Sequence, residues 1–90
     1  MDTAAIKHLV ALNGGESSIN EIQLPENYKL HGKTLMELKL PEQSVIISIT
    51  RNGRLIIPRG NTEIHSGDKI LALVINAFAH KLKEVMMLES

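Results

Sequence analysis

The chain contains no cysteine. That absence rules out a disulfide scaffold, cysteine-based zinc sites and thiol catalysis, and it accords with a reducing compartment. Aromatic residues are almost as scarce, with Tyr28 and Phe78 the whole set. Two rings are too few for a platform on which successive bases stack. Charge of either sign is not in surplus, since ten basic residues balance ten acidic ones. A nucleic-acid partner calls for a basic excess, so this balance argues against one. No apolar run approaches the ~20 residues of a membrane-spanning helix. The longest, Ile70-Leu71-Ala72-Leu73-Val74-Ile75, has the length of a strand. No basic stretch followed by an apolar core opens the chain, so the expectation is a soluble, cytoplasmic protein without a signal peptide. Internal repeats and low-complexity tracts are absent as well.

What is present is a 90-residue chain that is 43% hydrophobic, enough for one small domain. A domain of this size buries only about 60–65% of its unfolded surface. Its margin of stability is thin, and pairing with a partner is a common remedy.

The spacing of Ile6, Leu9 and Val10 predicts a short helix over residues 3–12, capped by Asp2 or Thr3 and stopped by Asn13-Gly14-Gly15. A strand is expected over 18–24, with Ile22 and Leu24 on one face and Ile19 on the other. Lys33 to Leu38 reads as a one- to two-turn helix that Pro41 keeps short. Ser44-Val45-Ile46-Ile47-Ser48-Ile49-Thr50 and Leu55-Ile56-Ile57-Pro58 flank Asn52-Gly53, the preferred centre of a type I′ turn, so residues 44–58 form a β-hairpin. Lys69–Ile75 is apolar on both faces and is expected to be a central strand. Asn76 caps a final helix over 77–88, whose Phe78, Leu82, Val85, Met86 and Glu89 share a face, apolar up to its last turn. Gly32, Gly53, Gly60 and Gly67 are expected at turns that need positive φ or close approach. The element order predicts an α+β fold, a small, mostly antiparallel sheet with a β-hairpin, covered by helices.

The chemistry-bearing residues do not assemble into a catalytic pattern. His8, His31, His65 and His80 lie on different elements, and none has a partner at the i, i+3 or i+4 spacing of a helical metal site. No Gly-x-Ser-x-Gly elbow exposes a serine. Gly32-Lys33-Thr34 ends like a phosphate loop but lacks its first glycine and the strand before it. Asp68, beside Gly67, reads as a turn residue that binds nearby backbone amides. The expectation is a protein that is not an enzyme, with no metal and no cofactor in this chain.

Residues 19–75 resemble the TrkA C-terminal domain, the C-terminal half of the domain that regulates potassium conductance (RCK-C). Leu24-Pro25-Glu26 closes a strand ahead of Gly32-Lys33-Thr34-Leu35-Met36-Glu37-Leu38, similar to the family's Gly-Lys-Thr-Leu-x-Glu-Leu segment. Val45 to Gly53 is similar to its next strand and turn. Pro58, Gly60, Thr62, Ile64, Gly67 and Asp68 follow the spacing of its closing segment. The resemblance implies a regulatory domain over 16–90, preceded by an N-terminal helix or linker over 1–15. It implies a homodimer or higher ring that gates a membrane potassium channel or transporter, and hence a cytoplasmic location peripheral to the membrane. It also implies a Rossmann-type TrkA-N partner, fused or separate, that would carry any NAD- or ATP-type nucleotide. Some members bind a small ligand, cyclic di-adenosine monophosphate or divalent cations, in the cleft between two copies. Members that bind the cyclic dinucleotide carry an arginine where this chain has Pro41 in Lys39-Leu40-Pro41. The cleft candidates are therefore Lys39, Leu40, Pro41, Ser44, Val45 and Pro58, with Lys39 the source of positive charge. Candidates for contact with a second copy or partner are Ile6, Leu9, Val10, Phe78, Leu82, Val85 and Met86.

A second resemblance competes. Gly53-Arg54-Leu55-Ile56-Ile57-Pro58-Arg59 followed by Gly67-Asp68 is similar to the AbrB-type swapped-hairpin DNA-binding domains. In those a charged helical turn fills a longer gap than residues 59–66 allow, and the neutral charge disfavours DNA.

Overall fold

Asn52 and Gly53 take φ of 51° and 77°, the two positive values that a type I′ turn requires. They join β3, Ser44–Arg51, to β4, Arg54–Ile56, in the expected hairpin. The computed structural model describes residues 5–88, and within them the hairpin forms one end of a five-stranded sheet. The strand order is β1 (Ala5–Leu12), β2 (Ser17–Gln23), β5 (Lys69–Ile75), β3 and β4, with every neighbouring pair antiparallel. The apolar run over 70–75 is the central strand, as its two-sided apolar pattern demands.

Side chains alternate across a strand, and β5 shows what each side of the sheet meets. Ile70, Ala72 and Val74 are buried, while Leu71 and Leu73 are only half-buried. Ile22, Ile49, Ile70, Ala72 and Val74 pack with Leu24, Tyr28, Leu38, Ile64, Leu82, Met86 and Leu88 in one core on the covered face. That cover comprises α1 (Leu35–Leu38), α2 (Ala79–Val85) and the loops at 24–34 and 59–68. The loops are tied by backbone bonds from Leu24 N to Asp68 O (2.9 Å), Gly32 N to Ile64 O (2.7 Å) and Ile64 N to Lys33 O (2.9 Å).

The N-terminal segment corrects the sequence expectation. Residues 5–12 are a strand, not a helix, and pair with β2 from Ala5 opposite Gln23 to Leu12 opposite Ser17. A bulge between His8 and Val10 inserts Leu9 as an extra residue, which breaks the period-2 pattern and imitates helical spacing. The expected caps Asp2 and Thr3 lie outside the described residues. Asn13 to Gly15 is a 3-10 turn that closes the β1–β2 hairpin, with Gly14 and Gly15 at φ 66° and 95°.

The C-terminal helix is shorter than expected. A 3-10 turn covers Asn76–Phe78 before α2 begins. Asn76 does not cap it: its amide donates to Gly15 O (2.6 Å) and its oxygen accepts from Ser18 Oγ (2.7 Å), which fastens the end of β5 to the β1–β2 turn. At the far end Met87 adopts φ 57°, and Met87 N and Leu88 N donate to Glu84 O and Lys83 O at 3.1 and 2.8 Å. This is a Schellman stop made without glycine, and it folds Leu88 into the core. Glu89 lies outside the described residues.

Candidate functional site

The segment Gly32 to Leu38 builds one corner of the molecule. Thr34 caps α1: its Oγ1 accepts from Glu37 N (3.2 Å), and Glu37 Oε1 accepts from Thr34 N (2.9 Å). This reciprocal capping box satisfies two amides that the helix itself leaves free. The backbone bond to Thr34, then the bond from its side chain, holds the Glu37 carboxyl below its ordinary range. The same helix end receives the 59–62 loop, with Met36 N donating to Gly60 O (2.9 Å) and Leu35 N to Thr62 O (3.0 Å). A Cβ on Gly60 would stand 3.0 Å from Met36 Cε, the far end of a flexible and exposed side chain that can swing aside.

Lys39 ends α1 in the left-handed conformation, φ 53° and ψ 55°, and its side chain is exposed. The chain then turns through Leu40, which packs on the core, and Pro41, whose carbonyl accepts from Ser44 N (3.1 Å) and Ser44 Oγ (2.8 Å). Val45 follows at 55% exposure. Five of the six cleft candidates therefore share one corner between α1 and β3. Pro58 sits beyond β4, half-buried, and is not brought to that corner by any hydrogen bond of its own among the described residues. Sequence reasoning passed over Met36, Leu55 and Ile57, which are 70%, 65% and 60% exposed. For β4 the signal was available: Leu55 and Ile57 flank the inward-facing Ile56 in strict alternation on an edge strand.

The partner-contact candidates divide. Leu9 and Val10 lie exposed on β1, and Phe78 is exposed beside α2. Ile6 and Val85 pack against the core, and Leu82 and Met86 are buried within it. Those last four face this chain's own sheet, which withdraws them from a partner surface.

Two polar assemblies brace the loops of the covered face. Asp68 is fully buried and receives Arg51 in a bidentate ion pair, Nε to Oδ1 and Nη2 to Oδ2, both 2.8 Å. It also accepts from His65 N (2.8 Å), so the expected turn role stands, with an added ion pair that raises the Arg51 pKa. His31 and His65, far apart in sequence, stack at 4.7 Å, and His31 Nδ1 accepts from Ser66 N (2.7 Å). Among the described residues no group of three or more His, Cys, Asp or Glu is placed to hold a metal ion, and no helix is long and apolar enough to cross a membrane.

A five-stranded antiparallel sheet with one face covered by two short helices and loops defines a small α+β domain. The particular family follows from comparison: the TrkA-C domain family model matches residues 19–86, and the chain belongs to that family. The chain is 38% identical over 81 residues to a Trk system potassium uptake protein TrkA homolog of Archaeoglobus fulgidus, covering 90% of this chain and 17% of the relative. It is 27% identical over 79 residues to the Trk system potassium uptake protein TrkA of Mycobacterium tuberculosis, covering 88% of this chain and 36% of the relative. The chain thus spans between about a sixth and a third of these relatives. A solved structure described as an RCK domain with cda superimposes with a TM-score of 0.65 at 28% identity, covering 79% of this chain and 97% of the other. Of the two resemblances in the sequence, the family match favours TrkA-C over the AbrB type. All of β1 lies before the matched residues.

Proposed function

We propose that this chain is a non-enzymatic regulatory domain of a potassium uptake or channel-gating assembly on the cytoplasmic side of the membrane. It works as a homodimer or within a higher ring, beside a Rossmann-type TrkA-N domain or subunit that holds the NAD- or ATP-type nucleotide. A ligand or partner that binds one arrangement of two copies better than another shifts the population between them, and the shift passes to the membrane subunit. The observation that carries this reading is the likeness to TrkA potassium uptake proteins over nearly the whole chain.

Any small ligand takes the corner formed by Lys39, Leu40, Pro41, Ser44 and Val45. The exposed Lys39 ammonium supplies a point charge for a phosphate, not the two-pronged grip of an arginine. Light scattering of the chain, alone and mixed with TrkA-N subunits, tests the assembly. A dimer or larger particle that gains mass with such a subunit supports it, and a monomer that binds none removes it. Equilibrium dialysis with cyclic di-adenosine monophosphate tests the corner: no saturable uptake excludes that ligand.

A further inference from the structure

The face of the sheet opposite the core carries an apolar band that nothing among the described residues covers. The register sets Val10, Ile19, Leu73 and Val45 side by side across β1, β2, β5 and β3. One step along the strands the next row on this face is Leu12, Ser17 and Ile75; one step the other way it is Lys7, Glu21, Leu71 and Ser48, and then Gln23, Lys69 and Thr50. Val10, Val45, Leu12 and Ile75 are 43%, 55%, 37% and 41% exposed. Ile19, Leu71 and Leu73 take no part in the core cluster. Across β1, β2, β5 and β3 one half of the face is thus apolar, while the other carries Lys7, Glu21 and Lys69, with exposed Leu55 of β4 beside Thr50.

We propose that this face is the seat of a second copy of the chain, stacked sheet on sheet. The inference rests on the dimer reading above and names its surface. Area is the first argument. Four strands about 4.8 Å apart and about seven residues long present a footprint of about 440 Å². Two such faces remove about 880 Å² from water, a little short of the ~1,000 Å² that a specific interface needs and in the range of a weak, reversible one.

Charge complementarity is the second. A twofold axis parallel to the strands, above the gap between β2 and β5, returns every row to its own level with the strand order reversed. Val10 then meets Val45 of the second copy, and Ile19 meets Leu73 of the second copy, in the nearly aligned stacking that twisted sheets adopt. Glu21 lies over Leu71 of the second copy, within reach of Lys69 on the same strand, and symmetry makes that ion pair twice. The other in-plane axis, along the apolar row, sets Leu12 against Lys7, Ser17 against Glu21 and Ile75 against Leu71 of the second copy. That buries the Lys7 charge against an apolar group at a cost and forms no ion pair.

The test is sedimentation equilibrium on the 90-residue chain, with circular dichroism on each variant to establish that it folds. Val10→Lys raises the dimer dissociation constant about tenfold or more. Glu21→Lys and Lys69→Glu each raise it about threefold to fivefold, and the double swap restores it. Met36→Lys, on α1 over the covered face, leaves it unchanged. A dimer that survives Val10→Lys and Glu21→Lys but dissociates with Met36→Lys overturns the sheet-face proposal and leaves the dimer reading standing. A wild-type chain that stays monomeric removes both. If Val10→Lys abolishes only the complex with a TrkA-N subunit, the face belongs to that subunit and the proposal fails.

Discussion

The two faces of this sheet are built by the same strands under the same alternation, yet they differ in nearly every physical respect. On one, Ile49, Ile70 and Ala72 are fully buried beneath helices and loops, and the ion pair that closes its margin is completed on three sides. On the other, the residues between them on β3 and β5 stay half-buried or exposed, and among the described residues no helix lies across them. The difference teaches that a strand apolar on both sides states a demand for two covers without saying whether the chain supplies both. Here the 24–34 and 59–68 loops and the two helices go to one side, and the other side is the one proposed above for a second copy.

The sharpest way to break the contrast is at the margin of the covered face. Arg51→Ala leaves the Asp68 carboxylate buried without its counter-ion and is expected to destabilise the domain by about 3–5 kcal/mol in denaturant unfolding. Next comes a matched pair on β5. Ile70→Ala opens a cavity in the core and costs about 2–5 kcal/mol. Leu73→Ala, on the uncovered face, should cost less than half as much in monomer stability while weakening self-association. Equal losses in the two variants would mean that both faces are sealed within one chain.

Tyr28 sharpens the comparison further. Burial pushes its phenol up to about 12, and its hydroxyl donates to Met86 O at 2.7 Å. A raised tyrosine pKa means the neutral form is favoured in the fold. Its contribution is complete below the ordinary pKa of 10.0 and is lost as pH rises through about 12. A spectrophotometric titration should therefore show the phenolate appearing near 12, and a midpoint near 10 would place Tyr28 outside the core. Tyr28→Phe is expected to cost about 1–2 kcal/mol, since the Met86 carbonyl loses its partner.

The smallest effect lies at the exposed corner. Thr34→Ala removes the cap of α1 and should cost about 1 kcal/mol or less. Because the Glu37 pKa is lowered, its contribution is present above the ordinary carboxylate range and fades as pH falls through the depressed value. Carboxyl chemical shifts should show Glu37 titrating below 4.5 in the wild type and returning toward that value in Thr34→Ala.

Local chemistry made some of this legible beforehand. Asn52-Gly53 named its own turn and the apolar run over 70–75 declared a central strand, while the capping-box spacing of Thr34 and Glu37 was passed over and came only with the structure. The cleft candidates Lys39 to Val45 are one continuous stretch, so their meeting at a corner needed only a short helix and Pro41. β1 was misread because Leu9 is a bulged residue: Ile6, Leu9 and Val10 match a helical stripe, and only pairing with β2 reveals a strand. Leu82 and Met86 were correctly placed on one helical face. Which molecule that face covers was decided by where α2 docks. The end of α2 was invisible for a different reason, since Met87 makes the left-handed stop that glycine ordinarily signals.

Sequence by itself determined the elements whose cause lies within a few residues: the I′ turn, the α1 cap, the alternation of β4 and β5, and the motif order that marks the TrkA-C family. Only the tertiary structure decided what depends on residues far apart in the chain. Asp68 meets Arg51 across 17 positions, His31 meets His65 across 34, and Val10, Ile19, Val45 and Leu73 come from four strands to form one row. The physical reason is that propensity and turn chemistry act through neighbouring backbone, whereas a face, a cleft or a buried ion pair exists only after distant strands have settled their register.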